Sequence, residues 1–297
     1  MACQYFIIDA FTRQKFEGAQ IAVFPDAGSL NEKQMQRLAG ELNLSETVFV
    51  CAATDGASQY RLRIFSPQQE LDFAGHPVIA AGYVLQKSDT LQSAAVQVQL
   101  NCEALMLHTE NLAGEIRVRF TVRAASALDS FVPSARELGE ILHLDEKLIE
   151  QSALQPMLAS CNGDYLLVPV KSEAAFTAAH FNVNKWTTSF VATLASQIIL
   201  LCKMPSAGQA ESYRVRLLGK NIGDREDPPV GSAAPAAGVY LFNAQSDGIH
   251  HALLQRGGDD RRKSVIEVTL EKSAGEVVAI HVGGYAVATG RGVIDCD

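Results

Sequence analysis

The sequence predicts an α+β fold of two alike halves, each a sheet wrapped around one buried central helix. Three observations predict it. Short β-like runs dominate the chain, and two stretches, GHPVIAAGYVL at 75–85 and GSAAPAAGVYL at 231–241, fit one frame, G-[H/S]-x-x-x-A-A-G-x-x-L. Each stretch is preceded by an alternating, Arg-bearing run, YRLRIF at 60–65 and YRVRLL at 213–218. Two copies of one supersecondary plan account for all three, because each copy supplies its own helix and its own strands.

Taken in order, the first half opens with strand-like QYFIIDAF (4–11), IAVFP (21–25), ETVFVCA (46–52) and YRLRIFS (60–66), the last with an apolar period of two. One helix interrupts them. Ser29 followed by Glu32 reads as a capping box, and Met35, Leu38, Ala39 and Leu42 recur at helical spacing as far as Asn43. Further strands are expected at 96–100, 115–120, 165–170, 197–202, 213–218, 264–270 and 276–282, with helices near 134–142 and 172–180.

The two repeated stretches are the expected central helices, over 76–87 and 232–243. Gly gives the tight entry, His76 and Ser232 fall at or beside the N-cap, and Pro77 and Pro235 suit a first turn, where a missing N–H goes unnoticed. The Ala and Gly residues that follow let other elements approach on every side. A buried helix N-terminus presents unpaired N–H groups and roughly half a positive charge, which favours a carboxylate. Two such termini would clamp a small anionic substrate. The plain alternative is that His76 and Ser232 only cap their own helices.

Composition narrows the classes of function. The chain has 297 residues, 47% hydrophobic, with 25 Lys and Arg against 33 Asp and Glu, a net charge of -8. No basic cluster tracks phosphates, so nucleic acid is not an expected partner. No apolar run reaches the roughly 18 residues a membrane span needs, and the first residues lack a basic leader, so a cytoplasmic protein is expected. Six cysteines are scattered singly and read as reduced core residues, without metal-binding spacing. No P-loop or dinucleotide fingerprint is present.

DFAGHP (72–77), EDPPVGSA (226–233), LSETVFV (44–50), RIFSP (63–67) and VGGYAVATGRGVI (282–294) together resemble the phenazine-biosynthesis PhzF-like family, of the diaminopimelate epimerase-like fold. The resemblance runs in order from about residue 5 to 294. It implies two pseudo-symmetric domains, 1–120 with 285–297 and 121–284, each a β-barrel-like sheet around its central helix, with the active site between them. Carried over by motif, Glu46 is expected to be the acid/base carboxylate, with His76 and Asp227 as its catalytic partners. Gly75, Gly231 and Ser232 are expected to hold a substrate carboxylate, and Asp72, just ahead of the first of these helices, is expected to bind the substrate as well. Family members with a known role isomerise a cyclic hydroxy-amino acid by moving a proton, without metal or cofactor, and are often homodimers.

One carboxyl in a desolvated cleft suits such chemistry, since burial raises its pKa toward the working pH. A cofactor-independent isomerase acting on a small carboxylate-bearing substrate is therefore the leading expectation. A catalytically silent metabolite-binding homologue is the alternative. A two-thiol racemase is disfavoured, because the positions where related families carry thiols are Ala74 and Val230 here. Two departures bear on the substrate. The usual F-x-G-N-P-A reads Phe16-Glu17-Gly18-Ala19-Gln20-Ile21, with Gln20 the candidate stand-in for the lost Asn, and the usual Thr before Gly-Ser is Val230.

Overall fold

The computed structural model describes residues 2–88, 94–123, 126–206, 210–220, 222, 230–258 and 261–296. They fall into two compact units: Met1–Val122 with Arg262–Ile266 and His281–Asp297, and Arg123–Arg261 with Glu267–Ile280. Among the described residues no helix is long and apolar enough to cross a membrane.

The first unit contains β1 (Ala2–Ala10), β2 (Ala19–Phe24), α1 (Glu32–Leu42), β3 (Glu46–Ala52), β4 (Tyr60–Phe65), β5 (Glu70–Leu71), α2 (Gly75–Lys87), β6 (Ala95–Gln99), β7 (Ala104–Leu112) and β8 (Glu115–Val122). The second contains β9 (Ala127–Asp129), α3 (Ala135–Leu142), β10 (Met157–Ser160), β11 (Asp164–Val170), α4 (Glu173–Ala178), α5 (Val183–Thr188), β12 (Gln197–Met204), β13 (Glu211–Gly219), α6 (Ala234–Phe242) and β14 (Gly248–Arg256). β15 (Ser264–Ser273) and β16 (Glu276–Asp295) each supply residues to both units.

In the first unit the strands pair in the order β1-β2-β3-β4-β6-β7-β8-β16, and β16 pairs back to β1, so the ladder closes on itself. β2 and β3 run parallel, as do β4 and β6, and antiparallel β3 and β4 put Thr47 opposite Phe65. Alternation then sorts the side chains. Phe24, Phe49 and Phe65 turn to one face and pack with Met35, Leu38 and Ala39 of α1. The other face belongs to α2, which packs on β1, β2, β3, β4, β7 and β8. α2 buries nearly every residue from Gly75 to Leu85, which only small side chains allow. A Cβ on its Gly82 would stand 2.6 Å from Val118 Cγ1.

The second unit repeats the plan in the order β15-β14-β13-β12-β11-β10-β9, with β11 and β12 parallel and β12 and β13 antiparallel. Leu166, Val168, Ile198 and Leu200 form one face, under Leu138, Phe176 and Trp186 of α3, α4 and α5. α6 is buried from end to end, and a Cβ on Gly238 would stand 2.7 Å from Val268 Cγ1.

Local chemistry differs from the sequence reading in several places. The capping box of α1 is made by Asn31 and Gln34, not Ser29 and Glu32, because Asn31 is the residue in extended conformation immediately before the helix. α5, β7 and β14 were not expected; α5 is only six residues long, too short for a helical period to show. The expected strand at 276–282 is the start of a twenty-residue one. Cysteine pairing also corrects the expectation of six thiols. Cys3 on β1 and Cys296 after β16 are joined in a disulfide, their Cα atoms 6.4 Å apart across 293 residues. Cys51, Cys102, Cys161 and Cys202 form no disulfide.

Candidate active site

β3 begins at Glu46, whose side chain shares the α2 face with Val48 and Val50, opposite the row of Thr47 and Phe49. The residue is half-buried. Ser45 Oγ donates to Glu46 Oε2 at 2.8 Å. Burial pushes the Glu46 carboxyl above the ordinary carboxylate range, and the Ser45 hydroxyl opposes this by stabilising the anion. A carboxyl so placed takes up a proton more readily than one in water.

The same face packs against α2. His76 is buried, 2% exposed, with its ring edge-on to Phe11 at 5.4 Å between centroids. Gly75 opens the helix and the N-cap is Ala74, whose side chain makes no capping bond. His76 therefore lies inside the first turn and does not cap it. With alanine at the N-cap, no cap side chain bonds to the N–H groups of that first turn. Asp72 is exposed on the segment between β5 and α2, and its carbonyl accepts from Cys102 Sγ at 3.4 Å.

Gln20 does not join this cluster. It pairs with Asp9 on β1 and is exposed, and alternation sets it with Ala22 and Phe24 on the face away from α2. The residue of β2 that turns toward α2 at that level is the buried Ala19. A neighbouring Gln thus cannot replace the lost Asn, since one step along a strand reverses the face.

In the second unit, α6 likewise has an alanine N-cap, Ala233, without a side-chain capping bond. Ser232, just before it, instead lies near the Tyr165 hydroxyl of β11, whose ionised form it favours. Tyr165 is buried and its phenol is pushed up, by burial above all. Val230 is fully buried. Asp227 lies outside the described residues. Among the described residues no group of three or more His, Cys, Asp or Glu side chains gathers as metal ligands.

Ser45, Phe11 and Tyr165 had not been singled out in the sequence. Ser45 could have been found, since its hydroxyl precedes Glu46 directly. Tyr165 could not, being one of several aromatic residues in apolar runs.

The whole site region falls within a match of residues 8–292 to the phenazine biosynthesis-like protein family, PhzC-PhzF. The chain belongs to that family. The trans-2,3-dihydro-3-hydroxyanthranilate isomerase of Pseudomonas chlororaphis is 30% identical over 292 residues, 98% of each chain. Among solved structures, the PhzF-family phenazine biosynthesis protein of Bacillus anthracis aligns with a TM-score of 0.85 at 21% identity, covering 99% of both chains. A probable proline racemase from Agrobacterium radiobacter K84 shares the fold at a TM-score of 0.60 and 13% identity, covering 99% of this chain and 93% of the other. The PhzF-like, epimerase-like α+β fold that the motifs implied is thus the fold this family member has.

Proposed function

We propose that this PhzF-family protein is a cofactor-independent isomerase that moves a proton within a small carboxylate-bearing hydroxy- or amino acid, with Glu46 as the acid/base. The observation that carries this reading is the carboxyl of half-buried Glu46 at the start of β3, raised in pKa by desolvation and hydrogen-bonded by Ser45. As the anion it removes a proton from one carbon, and the electron pair shifts along the conjugated system. The Glu46 carboxylic acid so formed then delivers that proton to a second carbon. No net proton or electron is gained or lost, so one carboxyl serves both halves of the transfer.

His76, and Asp227 beyond the described residues, are assigned to hold the shifting charge, with Gly75, Gly231 and Ser232 binding the substrate carboxylate. The uncapped first turns of α2 and α6 support this assignment, because their backbone dipoles favour an anion. Trans-2,3-dihydro-3-hydroxyanthranilate is the first substrate to try, given the name of the Pseudomonas relative. The buried, apolar Ala19 and Val230 argue for a different member of the same chemical class.

The test is turnover and solvent-deuterium incorporation across a panel of cyclic hydroxy-amino acids. Glu46→Gln is expected to lower both by about 10²- to 10⁴-fold while leaving binding intact. Deuterium uptake equal in wild type and variant overturns the assignment. Ala19 and Val230 also favour a second reading, a silent metabolite-binding homologue. Tight binding of a panel member with no proton exchange in the wild type would establish that reading instead.

A further inference from the structure

The internal duplication extends from the helices to single side chains. Parallel β2 and β3 place Ile21 opposite Glu46, and parallel β11 and β12 place Tyr165 opposite Gln197. On the other edge Thr47 pairs with Phe65 and Ile198 with Leu218, where Phe65 and Leu218 end the repeated YRLRIF and YRVRLL. The antiparallel register, anchored on that repeat, equates Gln197 with Glu46, and each of the two opens the parallel pairing of its strand. It also equates Ser196 with Ser45 and Cys202 with Cys51, an agreement in sequence that the pairing did not require.

Gln197 is half-buried and alternates away from Ile198 and Leu200, which pack under the outer helices. It therefore shares its face with Tyr165, its partner across the parallel ladder, and Tyr165 in turn lies near Ser232 just before α6. Its neighbour across the ladder is Gly219, where an added Cβ would come within 3.1 Å of Gln197 Cγ. The glycine gives the carboxamide its room. A carboxamide does not ionise at neutral pH and so cannot serve as acid or base, but it donates and accepts hydrogen bonds, whereas an ionised carboxylate only accepts.

We propose that Gln197 is a specificity-determining residue of the second unit, hydrogen-bonding the substrate carboxylate beside Ser232, while Tyr165 is a positioning residue that fixes the Ser232 hydroxyl. The assignment rests on the isomerase reading above and deepens it. The duplicated position has diverged in function: the first unit keeps an ionisable group that carries the proton, and the second has a neutral group of nearly the same shape. A second carboxylate there would repel the anion that the first turn of α6 attracts.

Calorimetric titration with 3-hydroxyanthranilate, an aromatic analogue that cannot isomerise, and with its uncharged carboxamide tests this. Gln197→Glu is expected to weaken the acid tenfold or more and the amide less than threefold. Gln197→Ala is expected to weaken both severalfold, and Tyr165→Phe to weaken the acid severalfold with the amide little changed. A Gln197→Glu protein that binds the acid as the wild type does, or loses acid and amide alike, overturns the proposal. Should Gln197→Glu not fold, unchanged affinity for the acid in Gln197→Ala overturns it as well. A wild type that binds neither probe counts against this proposal and the isomerase reading together. Inactive Glu46→Gln beside a Gln197→Glu with unaltered acid-over-amide preference overturns this proposal alone.

Discussion

At the start of β3 a single carboxyl is held under tension between two demands, since burial disfavours its charge and the proposed chemistry requires it. Because its pKa is raised in the folded chain, stability is lost as pH rises above the unfolded value and the desolvated anion forms. Glu46→Gln removes that anion. Its melting temperature is therefore expected to exceed the wild type's by roughly 2–4 °C at pH 7 and by less at pH 4, measured by calorimetry without ligand. If the proposed role holds, turnover falls by about 10²- to 10⁴-fold in the same variant.

Asp9 is a second buried carboxylate, with a structural task. Its side chain is wholly buried, it accepts the Phe16 N–H at 2.7 Å, and Arg262 is bonded to its other oxygen. Burial pushes its carboxyl up, while the Phe16 N–H and Arg262 pull it down. Arg262 also donates to the Glu17 and Gly18 carbonyls, so it fastens the turn that joins β1 to β2. Arg262→Ala leaves the Asp9 charge buried without its cation, and urea unfolding at pH 7 is expected to show a loss of about 3–5 kcal/mol. The loss shrinks as pH falls, because protonated Asp9 can remain buried. Nothing in the sequence marked this pair, whose members stand 253 positions apart.

Among the elements, α2 and α6 show most directly how composition becomes packing. Gly82 and Gly238 hold the same place in the repeated frame, and each faces a valine across a gap that admits no methyl group. Gly82→Ala gains in helix propensity but presses its Cβ on Val118, a branched side chain with little freedom to retreat. A net destabilisation of about 1–3 kcal/mol is expected from chemical denaturation, with Gly238→Ala behaving alike. The central helices could be read because their small-residue pattern was written twice. The strands facing them could be read wherever alternation was strong, as in YRLRIF. What escaped were features without a period. The cap of α1 depended on which of two neighbouring polar residues took up extended backbone, and α5 is under two turns long. Gln20 shows the same limit within a site, because substitution by a neighbour looks plausible in a string and fails on a pleated surface.

For the molecule as a whole, duplication was the legible property, and it led from sequence to fold and then to family. Contacts between distant parts of the chain were not legible. Cys3 and Cys296 illustrate this, since six scattered cysteines offer no signal for which two meet until β1 and β16 lie side by side. Thiol titration of protein denatured without reductant is expected to find four reactive groups, rising to six after reduction. The pairing of β1 with β16 sets Ala2 directly opposite Asp295, about 5 Å apart as ladder neighbours are. The polypeptide can accordingly be rewired. A linker of a few residues joining those positions, with new ends opened at the tight Ala113–Gly114 turn between β7 and β8, should yield a permuted protein with the parent's circular dichroism spectrum.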